Sequence, residues 1–300
     1  MMTFRKKEKS DVETLENTVY KRKPWRDVLA RLISNRLGMV GLIMVLALII
    51  LVIFAEKFSA FPYNGQNILR RFTYPNRTHL LGTDNFGRDL WARLLYGGRV
   101  SLLVALLSTA ISISIGTLLG STSGYFGGKY ETFIMRGLDI VMGIPSLLLA
   151  IAISAMLGNG TVNTAIAISI SAIPGASRIM RSSVISIKGN EFVEAARATG
   201  SRHRRVIIKH ILPNVVAPIL VHSTLSISTK ILTISSLSFI GLGVQPPIPE
   251  WGSILSAGRP YMRDFWPMTI FPGLFIMFTL FGFNLLGDAL RDALDPKLKK

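Results

Sequence analysis

The apolar residues of this chain are gathered into long uninterrupted runs, without the three- or four-residue spacing of a half-buried helix or the alternation of a half-buried strand. Gly38 to Ala55 holds 18 residues without a charge and Phe265 to Gly287 holds 23. A helix needs about 20 residues to cross about 30 Å of hydrocarbon, so both are predicted to span a membrane. Val100 to Gly128 is also uncharged, and its helix is predicted to run to about Gly120. Ile140 to Ser177 is 38 uncharged residues with a Gly-Asn-Gly-Thr turn signal at Gly158 to Thr161, which reads as a helical hairpin of two crossings. Ile211 to Gly243 is broken only by His222 and Lys230. The pattern predicts an all-α integral membrane protein with six transmembrane helices, because unpaired backbone groups cannot face lipid.

Finer patterns lie within this frame. Trp25, Val28, Leu29, Leu32 and Ile33 form one stripe, with Arg26, Arg31 and Arg36 off it, as in a helix lying among lipid headgroups. The second span carries Ser108, Ser112, Gly116, Gly120 and Gly124 at four-residue intervals, a ridge that admits close approach of another helix. Pro145, Pro174, Pro218 and Pro272 lie in or beside spans and are expected to bend them. The organisation that follows is a first segment over 1–37, a first span and external segment over 38–99, a core membrane domain over 100–290 that contains a polar loop at 178–213, and a tail over 291–300.

Charge changes the picture by its placement. The net charge is +17 in 300 residues, a value that suggests nucleic acid until the basic residues are located. Ten Lys and Arg precede Gly38, two separate the second and third spans, eight lie in Arg178 to His210 and four follow Gly287, all on one side. Nine fall on the other side, seven of them in Glu56 to Arg99. Basic residues concentrate in cytoplasmic loops, so both termini and the 178–210 loop are expected in the cytoplasm of an inner-membrane protein, and a nucleic-acid role is set aside. No cysteine is present. The first run, starting after 37 residues and lacking a cleavage site, reads as an uncleaved span.

Several chemistries lack their residues. Gly124 to Glu131 (GYFGGKYE) is not a Gly-x-x-x-x-Gly-Lys-Ser/Thr phosphate loop. His79, His203, His210 and His222 make no metal pattern, and Asp84 with Asp89 does not match a calcium loop. No nucleophile elbow or intramembrane acid–base pair occurs. The expectation is a non-catalytic subunit with no cofactor and no bound metal.

The loop from Arg178 to His210 is too polar to cross and too patterned to be a linker. Glu191 to Thr199 is a good helix former with a small face of Phe192, Ala195, Ala196 and Thr199, and Gly200 is placed to cap it. A second helix is expected from Ser201, and Pro213 sits at the start of the fifth span. Glu194, Ala195, Ala196, Gly200, Leu212 and Pro213 together resemble the EAA loop of binding-protein-dependent ABC importers. His210 stands where the general pattern has Ile, as it often does in the peptide branch. Leu80 to Leu103, with Gly82, Thr83, Asp84, Gly87, Arg88 and Asp89, is similar to the external signature of the dipeptide and oligopeptide permeases of the C type. Leu237 to Gly252 (LSFIGLGVQPPIPEWG) and Asn35 to Gly41 resemble the same branch, so the resemblance extends from about Trp25 to the end.

The resemblance implies the type I ABC importer permease fold, in which the loop forms a cytoplasmic coupling helix docked in an ATPase cleft. It also implies two ATP-binding subunits, a sister permease subunit, an extracytoplasmic substrate-binding protein and a peptide substrate; nickel chelates, glutathione or oligosaccharides are the alternatives within the class. A passive channel would account for six spans but leave the loop unexplained, and an intramembrane enzyme would need a catalytic pair that the sequence does not offer. In the external signature, Leu90, Trp91, Leu94 and Leu95 are expected to face one way and Arg88, Asp89 and Arg93 another, on a helix lying at the outer surface. Arg136 and Asp139, three apart, read as a local ion pair. Lys230, a lone cation in the fifth span, should face a cavity, a substrate carboxylate or an acidic partner.

Overall fold

A computed structural model of the chain describes residues 24–294, and these fold as helices; the one β-type pairing among them is the isolated bridge between Thr83 and Asp89. Residues 1–23 and 295–300, and with them most of the first segment and the tail, lie outside the described residues. The helices of eight residues or more are α1 (Pro24–Ser34), α2 (Arg36–Ile53), α3 (Leu90–Phe126), α4 (Gly128–Met142), α5 (Ser146–Leu157), α6 (Thr161–Ile187), α7 (Glu191–Ala198), α8 (Val216–Phe239), α9 (Trp251–Gly258) and α10 (Pro267–Leu294).

The organising rod is α3, whose 37 residues make about 55 Å at 1.5 Å per residue. It runs from Leu90 to Phe126 rather than from Val100 to Gly120, so the predicted surface helix of the external signature is instead the first turns of a span. Leu90, Leu94 and Leu95 are buried as expected of one face while Trp91 is half-buried, but Arg93 is buried as well, because the helix enters the bundle there and Arg93 turns in beside Asp84. The division drawn between residues 99 and 100 falls inside this helix.

The glycine ridge meets α6. A Cβ on Gly116 would lie 2.6 Å from that of Ala176, and one on Gly120 would strike the Ser177 carbonyl oxygen, so the two backbones touch only because these positions are bare. The same device brings α2 onto α10, where Gly38 faces Ala289 and Gly41 faces Leu285. On α1, the predicted stripe divides: Leu32 is buried against Ala289 and Ala293, while Leu29 and Ile33 stay exposed. The Trp25 side chain lies outside the described residues.

Arg36–Ile53, Leu90–Phe126, His203–Phe239 and Pro267–Leu294 are long and apolar enough to cross a membrane singly. A fifth crossing is available if α4 and α5, bent by 85° at Gly143 to Pro145, act together. The predicted hairpin turn at Gly158 to Thr161 is present between α5 and α6. The third span, however, is no straight helix from Ile140: Pro145 disfavours helical geometry at the residue before it, and the chain turns there. Of the six expected rods, α6 is long enough at 27 residues but carries Asn163, Ser169, Ser171, Ser177 and Arg178. Ser169 and Ser177 are buried where α6 packs against its neighbours α3, α5 and α8, while Arg178 is half-exposed and pairs with Asp139. Arg136 and Asp139 do not pair. Asp139 instead accepts from Arg178 at 2.7 Å, and Glu131 pairs with Arg181, so both acids of α4 tie it to α6 across the bundle.

Candidate functional site

At one end of α3 lies the elbow formed by α7 and the turn after it. Glu191 and Glu194 occupy the first turn of α7, where carboxylates favour the helix dipole. Val193 and Ala196 are buried in a cluster with Tyr125, Met180, Val184, Val206, Ile207, Ile211 and Val215. The helix ends as the sequence expects: the Gly200 N–H donates to the Arg197 carbonyl at 2.9 Å and the Ser201 N–H to that of Ala196 at 3.2 Å. That closure needs a left-handed residue, and Gly200 supplies φ +76°.

The expected small face is divided. Phe192, Ala195 and Thr199 point outward with Glu194, whereas Ala196 points into the molecule, because it stands three residues from the buried Val193 on the same helix face. Past His203 the chain runs as a π-helical turn over Val206–Ile211 and a 3-10 turn over Leu212–Val215 directly into α8. Pro213, which lacks an N–H, sits where the pitch changes and Leu212 packs on the same cluster. Tyr125 secures the elbow to α3. Its hydroxyl shares a 2.9 Å hydrogen bond with His203 Nδ1, and the Arg197 guanidinium lies 4.8 Å over its ring. Nothing in the sequence pattern singled out Tyr125, because its partners are 72 and 78 residues away.

At the opposite end, the external signature builds the cap of α3. Asp89 caps the helix, accepting from the Ala92 N–H at 2.7 Å, and its other oxygen meets His79 Nδ1 at 2.9 Å. Asp84 accepts from the N–H groups of Phe86 and Arg88, both at 2.9 Å, and from Arg88 Nε at 2.6 Å, with Arg93 Nε at 3.5 Å. Thr83, Asp84, Arg88 and Asp89 are all buried. Gly82 and Gly87 hold φ values of +83° and +70° against the backbone of Thr73 and Asn67, which leave no room for a side chain. These six residues therefore form a compact knot, with little surface to offer a partner. Glu250 extends it: fully buried, it caps α9 by accepting from the Ser253 N–H at 2.9 Å and accepts from the Ser101 hydroxyl at 2.9 Å. Trp251 donates from Nε1 to the Leu94 carbonyl at 2.9 Å. Glutamate is not among the side chains favoured at the capping position of a helix start, so nothing in the local pattern marks Glu250 as this cap.

Between the ends, a cavity of about 390 Å³ opens among α3, the bend that joins α4 to α5, α6 and α8. Lys230 lines it and is 3% exposed, donating to the Ser108 carbonyl at 3.1 Å and to the Ser112 hydroxyl at 2.6 Å. The small ridge thus has two uses, glycines for contact and serines for Lys230. Among the described residues no carboxylate pairs with it.

Comparison with known proteins agrees with this architecture. Residues 116–300 match the family described as binding-protein-dependent transport system inner membrane component, and residues 23–76 match the N-terminal TM domain of oligopeptide transport permease C. The chain is 44% identical to the dipeptide transport system permease protein of Alkalihalophilus pseudofirmus, covering 92% of this chain and 91% of that one. It is 40% identical to the oligopeptide transport system permease protein of Bacillus subtilis, covering 92% and 90%. It is also 40% identical to the glutathione transport system permease protein of Pectobacterium atrosepticum, covering 93% of each. The inward-facing MetNI methionine ABC transporter shares the fold, with a TM-score of 0.56 at 17% identity, over 69% of this chain and 98% of that one. With a family match over more than half its length and relatives at this identity along nine-tenths of it, the chain belongs to the inner-membrane permease components of binding-protein-dependent transport systems.

Proposed function

We propose that this chain forms one half of the translocation pore of an ATP-driven importer of di- or oligopeptides, in the inner membrane with both termini in the cytoplasm. The reading rests on the α7 elbow, which holds a small outward face of Ala195 and Thr199 beside Glu194 on a mount anchored to α3 through Tyr125. Such a mount transmits displacement, because Val193 and Ala196 are locked in a packed core and cannot yield separately. ATP binding closes the paired ATPase subunits, their clefts shift the elbows, and the pore exchanges inward-open for outward-open by differential binding of the two states. One elbow per chain and two ATPase subunits call for a sister permease, and a binding protein delivers substrate from outside. The chain carries no catalysis of its own; Glu194, Ala195, Ala196, Gly200, Leu212 and Pro213 build the coupling unit, and Gly82, Thr83, Asp84, Gly87, Arg88 and Asp89 hold the external end of the pore. Peptide as substrate is supported by the dipeptide and oligopeptide permeases among the relatives, while the glutathione permease favours the alternative cargo.

The test is Gly200→Val in the assembled complex. No atom lies within 4 Å of the added Cβ, so the variant strains the backbone alone, by about 1–2 kcal/mol. Uptake is expected to fall about tenfold or more while the subunit still inserts and ATP-binding subunits still co-purify. Normal transport-coupled ATP hydrolysis in this variant rejects the coupling role.

A further inference from the structure

Lys230 lines the cavity inside the bundle, and the surroundings of its ammonium group are unbalanced. Serine 108, whose carbonyl it meets, is at the midpoint of α3 by residue count, so the charge lies deep in the bundle and far from water at either end. A cation buried in hydrocarbon is retained when it has an anion or a wet cavity to face. One side of the cavity is polar, lined by Ser112, Ser146, Ser171, Ser226, Thr229 and Thr233 with His222, and the other is apolar, with Val141, Met142, Ile144 and Ile168. On α8 the lining residues His222, Ser226, Thr229, Lys230 and Thr233 fall at helical spacing on one face, although Ser and Thr also occur elsewhere along this helix. No carboxylate lines the cavity, and an ammonium has three donors, of which α3 takes two.

We infer that Lys230, with the hydroxyls around it, forms a transient subsite for the C-terminal carboxylate of the peptide as it crosses, so that this subunit discriminates for free carboxyl termini inside the pore. The inference rests on the peptide reading above. An ammonium–carboxylate contact in a site partly shielded from water is shorter and stronger than a neutral one, and hydroxyl donors can complete the carboxylate's remaining acceptor positions. The contact must be weak enough to release, and the two serine contacts from α3 serve this by keeping the ammonium satisfied when the cavity is empty.

The experiment uses the full transporter in vesicles, with its binding protein saturated in turn by a peptide with a free carboxyl terminus and by the same peptide amidated. Wild type is expected to take up the carboxylate form about tenfold faster, Lys230→Arg to preserve that ratio, and Lys230→Met to bring it near one. An equal ratio in wild type and Lys230→Met overturns the subsite and points instead to a partner-chain carboxylate or a packing role. Absence of any peptide uptake by wild type overturns the peptide reading, and the subsite with it. If Lys230→Met does not assemble, the chain's lack of cysteine gives a second measurement: Thr233→Cys, detected by mass on this chain. A negatively charged methanethiosulfonate should modify it several-fold faster than a positively charged one; equal rates overturn the proposal.

Discussion

The Tyr125 hydroxyl, one residue from the end of a 37-residue helix, shares a 2.9 Å hydrogen bond with His203 Nδ1 at the start of the rod that becomes α8. The contact closes a triangle of α3, α7 and α8, with Arg197 of α7 stacked on the same ring. Any displacement of the elbow is therefore delivered to two of the helices that border the cavity.

Removing the Tyr125 ring should uncouple the elbow from the bundle. Tyr125→Ala deletes a buried aromatic, a change of about 3–5 kcal/mol in a packed site, and is expected to abolish ATP-driven uptake while membrane insertion persists. Tyr125→Phe keeps the ring under Arg197 and loses only the hydrogen bond, of about 1 kcal/mol, so it should retain most uptake. Equal uptake in wild type and Tyr125→Ala, measured in vesicles, refutes the link.

Adjacent alanines should behave differently. Ala195 is exposed and Ala196 is buried at 7%, so Ala195→Trp is expected to leave the thermal stability of the isolated subunit unchanged but weaken co-purification of ATP-binding subunits. Ala196→Leu overpacks the cluster around Tyr125 and Met180, costing about 1–3 kcal/mol, and should lower stability measured by detergent-phase unfolding. A reversed pattern would mean that α7 is rotated from the orientation described above.

The knot at the other end predicts a stability effect that is blind to substrate. Asp84→Ala leaves Arg88 and Arg93 buried without their shared carboxylate, a loss of about 3–5 kcal/mol. The subunit's melting temperature should fall by the same amount with or without peptide and binding protein present. A variant with wild-type melting and altered substrate preference would place these residues in recognition instead.

Much of this molecule was legible before any coordinates. Four of the six expected spans, α2, α3, α8 and α10, could be read from runs of apolar residues because lipid imposes one requirement on every exposed backbone group. The bend between α4 and α5 and the polar residues of α6 left the other two short of single apolar rods. Gly200 was legible as a helix stop because a left-handed residue after a helix is a local demand that one amino acid meets best. The same is true of the hairpin turn at Gly158 to Thr161.

Partnership was decided only by the tertiary structure. The sequence offered Arg136 to Asp139 at helical spacing, yet Asp139 meets Arg178, 39 residues away, because α4 lies against α6. It suggested a surface helix at Leu90 to Leu95, and burial of every residue there except the half-buried Trp91 turned that segment into the first turns of α3. It could mark Lys230 as anomalous but could not say that Ser108 and Ser112, more than a hundred residues earlier, hold it at the wall of a cavity. Local periodicity reports which surface a residue can show; which group stands opposite depends on how rigid rods cross, and that is set where bare glycines such as Gly116 and Gly120 let two backbones meet.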